Sequence, residues 1–296
     1  MSRRSEGKEM NRLEAERIVR RLEELPTLPA IIARILEVLN DERSSAKDLE
    51  KVISFDQSIA SKVLRIANSA YYGFPQEIST IHRAIVILGF QTVKGLALGS
   101  SIFETFFRQG EDSCFDRTAY WLHSIACSRC AMTLGKQVGE VDPEEAFLAG
   151  LIHDIGMVVM DQVLHENYGQ FLKRAVDCEG PLSRLERDTC GFDHADVGAW
   201  LAERWKFPPS LSNAIRNHHS VLESDESLRR LVAVIHLADF CSNEAGLSVT
   251  EGNDGCEVQE EVLEMTGVSR ENLTDLSDHI REERDQIEAF FRAMVV

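Results

Sequence analysis

Residues 150 to 160 read GLIHDIGMVVM, in which His153 and Asp154 are the only polar side chains. An ionised carboxylate buried without a partner costs several kcal/mol or more, so Asp154 must meet either a cation or a hydrogen-bond network. More histidines and acids recur at wide intervals: His123 in YWLHS, His194 in HADVGAW, the pair His218-His219, and Asp239 in VIHLADF. Imidazole mixed with carboxylate suits iron, manganese, zinc or a related divalent ion. Such ions lower the pKa of a bound water and act as Lewis acids, so the chemistry on offer is metal-assisted. A buried polar core without metal is the alternative that these residue types leave open.

Converging those side chains requires several elements. Apolar residues recur at the helical period, as in Leu28, Ile31, Ile32, Ile35, Leu36 and Leu39, and almost nothing alternates as a strand would. The pattern predicts an all-α protein. Each metal-capable residue falls on a different predicted helix, apart from the adjacent pairs, and helices of a bundle can direct such groups to one inner point. Residues 143 to 164 read as one helix, on which neighbouring side chains diverge by about 100°. His153 and Asp154 can then straddle a site, with Asp154 reaching across to bridge two ions. Ser45 and Asp56 are candidate N-caps, and Asp142-Pro143-Glu144-Glu145 is a helix start with acids in the first turn.

The expected organisation is an N-terminal helical extension (1–24), a first helical subdomain (25–108), a second helical subdomain that carries the site (109–245), and an acidic loop with a C-terminal helix (246–296). That last amphipathic helix is expected over about 269 to 293. The N-terminal arginines alternate with glutamates, as on a solvated helix face.

Composition narrows the function classes. The chain has 296 residues, 44% hydrophobic and 27% charged, as in ordinary globular proteins. A formal net charge of −17 argues against nucleic acid as a partner. The sequence shows no signal core or membrane span, so a cytoplasmic protein is expected. Seven cysteines without paired spacing read as reduced thiols, and Cys127 and Cys130 as small core fillers. Trp121, Trp200 and Trp205 read as core or subdomain-interface residues, and His82 as capping or surface.

The order H, HD, H, HH, D on consecutive helices resembles the HD superfamily of metal-dependent phosphohydrolases, and more closely its HD-GYP branch, which hydrolyses cyclic dinucleotides. The wider chain is similar to the HD-related output domain (HDOD) family of bacterial signalling modules. That resemblance rests on LPTLP (25–29), DQSIASKVLRIANSAYY (56–72) and IHRAIVILG (81–89), and covers about residues 20 to 245. It implies that the second subdomain is an HD-type helical bundle. It also implies that His123, His153, Asp154, His194, His218, His219 and Asp239 are metal ligands, with Asp154 the bridge and Asp154 and His153 the catalytic pair. HDOD members typically lack most of these residues, whereas this chain retains them.

Three positions depart from the HD-GYP pattern. Met157 stands where a substrate-binding lysine is expected, Ser220-Val-Leu-Glu-Ser-Asp replaces the Gly-Tyr-Pro loop, and Ala119 replaces a glutamate of trinuclear members. The resemblance therefore implies one or two divalent ions, with iron or manganese favoured over nickel, zinc or magnesium. It implies a signalling output module, or alternatively an active phosphohydrolase acting on a nucleotide or cyclic dinucleotide. Expected partners are a signalling protein, a phosphate-containing small molecule, or both, with no membrane. Arg129, Lys136 and Arg216 are the candidate phosphate contacts.

Overall fold

The computed structural model describes residues 28–41, 43–107, 115–164, 168–169, 171–172, 180–250 and 257–295. The expected N-terminal extension, the polar break at 108–114, most of a predicted helix over 166–178 and the tip of the acidic loop lie outside the described residues. All regular elements among the described residues are helical.

The chain opens with α1 (Ala30–Asn40), α2 (Ala46–Phe55), α3 (Gln57–Ala67) and α4 (Ile81–Leu88), followed by the longer α5 (Phe90–Phe107). Ser45 and Asp56 are N-caps, as their types predict: Ser45 accepts from the Asp48 N–H, and Asp56 from those of Ser58 and Ile59. The helices α1, α3 and α4 pack on α5. Between α4 and α5, Gly89 adopts φ 95°, and an added Cβ would lie 2.6 Å from the Glu144 carboxylate. Only glycine fits that turn. Glu144 can therefore come close enough to accept the Thr92 N–H at 2.9 Å, capping α5 from the opposite half of the molecule.

The second group begins with α6 (Arg117–Val138), α7 (Pro143–Ile152) and α8 (Ile155–Leu164). Here the structure corrects an expectation. Residues 143 to 164 form two helices joined by a turn at His153-Asp154, not one. Periodicity could not reveal this break, because the flanking residues are apolar on every side and nearly all buried. The segment Pro143–Leu164 is apolar enough to pass as a membrane span, but 89% of its most apolar window is buried within the protein, as in a core helix.

The chain continues through α9 (Leu182–Cys190), α10 (His194–Arg204), α11 (Pro209–Asn217) and α12 (Arg229–Glu244). Close crossings are made by glycine. A Cβ on Gly150 would meet the Ser128 Cα at 2.9 Å, and one on Gly156 would meet the His194 carbonyl oxygen at 1.8 Å. Trp121 and Trp205 are buried as expected, but Trp200 is 37% exposed and rests edge-on against Phe192. Cys127 and Cys130 are buried free thiols, and His82 is exposed.

The tail also differs from expectation. It forms α13 (Glu260–Thr266), α14 (Arg270–Glu282) and α15 (Arg284–Val295), not one helix over 269–293. Gly267, at φ 67°, ends α13, and the chain breaks again at Glu283. Glu283 accepts two 2.9 Å hydrogen bonds from the Arg129 guanidinium. At the far end, Lys62 donates to the Met294 carbonyl at 2.7 Å. The tail thus ties α3 to α6.

Burial pushes the Glu283 carboxyl up, but its hydrogen bonds from Arg129 outweigh this and hold it below the usual 4.5. A depressed carboxyl pKa stabilises the fold above the unfolded value, and that contribution fades as pH falls below about 4.5 towards the folded value. Urea titrations across pH should show a shallower acid decline for Glu283→Gln than for the natural chain.

Candidate metal centre

The structure brings all seven predicted residues together. His123 comes from the second turn of α6, and His153 and Asp154 form the turn between α7 and α8. His194 is the first residue of α10, His218 caps the C-terminus of α11 with His219 next to it, and Asp239 lies in α12. They form two groups: His123, His153 and Asp239, and Asp154, His194, His218 and His219. Within each group, the potential ligand atoms lie within 4.8 Å of one another.

Asp154 joins the groups. Its Oδ2 lies 3.3 Å from His153 Nε2 and 3.6 Å from His123 Nε2. Its Oδ1 lies 3.2 Å from His218 Nε2 and 3.3 Å from His194 Nε2. Asp239 Oδ1 completes the first group at 3.3 Å from His123 Nε2. Two donors each about 2.1 Å from a shared ion stand roughly 3 to 3.5 Å apart, which is the spacing found here.

The imidazoles are held with Nε2 inward. His123 Nδ1 donates to the Leu247 carbonyl, His153 Nδ1 to Gly150 and His218 Nδ1 to Ile215, each at 2.8 Å. His194 Nδ1 donates to the Glu186 carboxylate at 2.6 Å. Bonds of this kind fix the tautomer and leave the Nε2 lone pair for a metal. Two of the inward atoms, Asp154 Oδ1 and His218 Nε2, are buried with no hydrogen-bond partner. A self-sufficient polar core would not leave them so. The donor set therefore fits a divalent cation better than a metal-free network.

The charges follow the same geometry. Burial pushes the Asp154 carboxyl up, yet the imidazoles of His153 and His194 hold it well below the usual range. Burial lowers His194, but the carboxylates of Glu186 and Asp154 overcome this and raise it well above the usual imidazole value. Burial beside His218 and His194 pushes His219 well below that value.

Sequence reasoning missed Glu186. It is fully buried on α9 and accepts from the His194 backbone N–H, His194 Nδ1 and the Tyr168 hydroxyl. The available signal was one acid on the buried face of a helix that is otherwise polar. Glu186→Ala leaves these buried donors unpaired, at about 1 to 3 kcal/mol for each group without full additivity. A loss of several kcal/mol in chemical denaturation is expected. Asn243 was missed too; its Nδ2 donates to Asp239 Oδ1 at 3.0 Å from one turn further along α12. His236 is a positioning residue, donating from Nδ1 to the His218 carbonyl at 2.8 Å.

A narrow cleft reaches the centre past Met157, Leu182, Ser183, Asn243 and Val249, and among the described residues no lysine or arginine lines it. The three candidate phosphate contacts lie elsewhere. Arg129 is bound to Glu283 and Arg216 to Glu203, while exposed Lys136 is thirteen residues along α6 from His123, about 20 Å away.

With this geometry in view, comparison with known proteins is informative. The HDOD domain family matches residues 25–221, two thirds of the chain. The chain belongs to the HDOD domain family. The match ends before Asp239, so one member of the centre lies beyond the matched stretch.

A solved structure from Shewanella amazonensis, named "Putative phosphohydrolase", is 25% identical with a TM-score of 0.72, covering 94% of this HDOD chain and 98% of that one. An uncharacterized protein of Treponema pallidum is 24% identical over 76% of this chain and 44% of its own length. Ribonuclease Y of Mycoplasmoides gallisepticum is 25% identical over 75% of this chain and 33% of its own. The HDOD chain thus spans less than half of each of these curated relatives.

Proposed function

We propose that this chain is a bacterial signal-transduction output module of HDOD type that retains a dinuclear HD-type metal centre. His123, His153 and Asp239 hold one ion, His194, His218 and His219 hold the other, and Asp154 contributes one oxygen to each. The observation that carries this reading is the division of the Asp154 carboxylate between two sets of inward Nε2 atoms. Iron or manganese is favoured over nickel, zinc or magnesium on the resemblance to HD proteins, although mixed imidazole and carboxylate donors also suit zinc.

Divalent ions held there supply Lewis acidity towards a phosphoryl group. The chain's own residues do the rest. Carbonyls and Glu186 keep the imidazoles in the ligating tautomer, and the shell of Met157, Leu182 and Val249 limits access of water. Among the described residues, the cleft has no cation for the substrate's phosphate. Contacts of that kind are often worth ~2 to 4 kcal/mol in the transition state, or about thirtyfold to nearly a thousandfold in rate. That composition favours little turnover; the proposed ligand is a signalling partner or a phosphate-containing small molecule held by the ions.

An active phosphohydrolase is the second reading. It is favoured by the complete ligand set and by the names carried by the Shewanella protein and by Ribonuclease Y. Metal-loaded protein assayed with bis(4-nitrophenyl) phosphate, cyclic dinucleotides and a short oligoribonucleotide separates the two. Bound metal with no turnover is the expected result. Turnover that disappears in His153→Ala would instead establish the enzyme.

A further inference from the structure

A second cavity, of about 150 Å3, opens where α1 and α5 meet α7 and α11. A cavity of that size admits an apolar group about as large as benzene. Leu39, Leu148 and Leu211 form its apolar wall. Lys94 enters from α5, only 4% exposed, its ammonium 4.5 Å from the centre of the Phe90 ring. It makes no ion pair or hydrogen bond with any described residue, an uncommon state for a buried lysine. Burial pulls its pKa down.

Acids stand on the same cavity wall. Asp142 accepts the Glu144 N–H, and Glu145 accepts from the Ser210 hydroxyl. One hydrogen bond leaves a carboxylate with further acceptor capacity. Glu144, also on the wall, uses one oxygen to cap α5. The cavity therefore combines a buried cation with no direct ion pair among the described residues, carboxylates with capacity to spare, and a leucine wall.

We infer that this cavity binds a small zwitterionic α-amino acid with an aliphatic side chain. The ligand carboxylate pairs with Lys94, its ammonium with Asp142 and Glu145, and its side chain packs on the leucines. A carboxylic acid lacking the amine would satisfy Lys94 but bring another anion among acids. An amine lacking the carboxylate would leave Lys94 unpaired. The cavity lies at the N-terminal ends of α7 and α11, whereas His153 and His218 follow their C-terminal ends. It is a separate site, and its occupancy does not depend on the metal reading.

The test is calorimetric titration of the full chain, as purified, with L-leucine, set against 3-methylbutylamine and 4-methylpentanoate. L-leucine is expected to saturate a single site, with both analogues weaker by about tenfold or more, as loss of a charged hydrogen-bond partner implies. Lys94→Met and Glu145→Gln, each checked for a native circular dichroism spectrum, should weaken L-leucine similarly. An analogue binding as tightly as L-leucine would overturn the proposal. So would indifference to both substitutions in folded protein, or no binding of leucine, isoleucine, valine or methionine at millimolar concentration.

Discussion

Asp154→Ala is expected to abolish metal binding in both halves of the centre, whereas Asp239→Ala and His219→Ala should each remove only one ion. The difference follows from position. Asp239 lies with His123 and His153, and His219 lies 2.8 Å from His194 in the other group. Only Asp154 faces both, with Oδ2 on one side and Oδ1 on the other. A neutral side chain at this position leaves imidazoles in each half without their shared anion. Metal content of the three variants, measured after identical anaerobic loading, reads the effect directly. If Asp154→Ala lost no more metal than Asp239→Ala, the shared carboxylate would have no bridging role.

The largest effect on stability is expected two residues further along the chain. At Gly156, α8 crosses α10 so closely that a methyl group would sit 1.8 Å from the His194 carbonyl oxygen and 2.7 Å from the Gly198 nitrogen. Both obstacles are backbone, so no side-chain rotation can relieve them. Overpacking usually costs about 1 to 3 kcal/mol, and a clash with backbone belongs at or above the top of that range. Gly156→Ala should therefore lose roughly 3 kcal/mol or more in denaturant titration, and should displace His194. Gly95→Ala is the control. There a Cβ meets Phe147 at 3.5 Å, an ordinary contact, and the helix gains up to about 1 kcal/mol in propensity. Equal destabilisation of the two variants would contradict the packing argument.

Much of this architecture was legible in the residues. The 3.6-residue period, the caps at Ser45, Asp56 and Asp142, and the isolated pair His153-Asp154 follow from local physics and held in the structure. The gathering of seven residues from the stretch between His123 and Asp239 is different in kind. Types and spacing raised it, but only the resemblance to HD proteins gave it an order, and tertiary packing brings it about.

What escaped reading has physical reasons. The break at His153-Asp154 lies in a stretch buried on all sides, where periodicity carries no signal. Glu186 looks like any acid on a polar helix until His194 and Tyr168 fold against it. The tail divides at Gly267 and Glu283 because a left-handed glycine and the pairing of Glu283 with Arg129 override a continuous amphipathic pattern. The same contact holds Arg129 against the tail.

The most direct measurement is anomalous diffraction, with elemental analysis, on crystals of the anaerobically loaded protein. The account predicts two peaks, one on each oxygen side of Asp154, and two equivalents of a transition metal. A folded protein with ordered histidines, full metal exposure and no anomalous peak among them would contradict it.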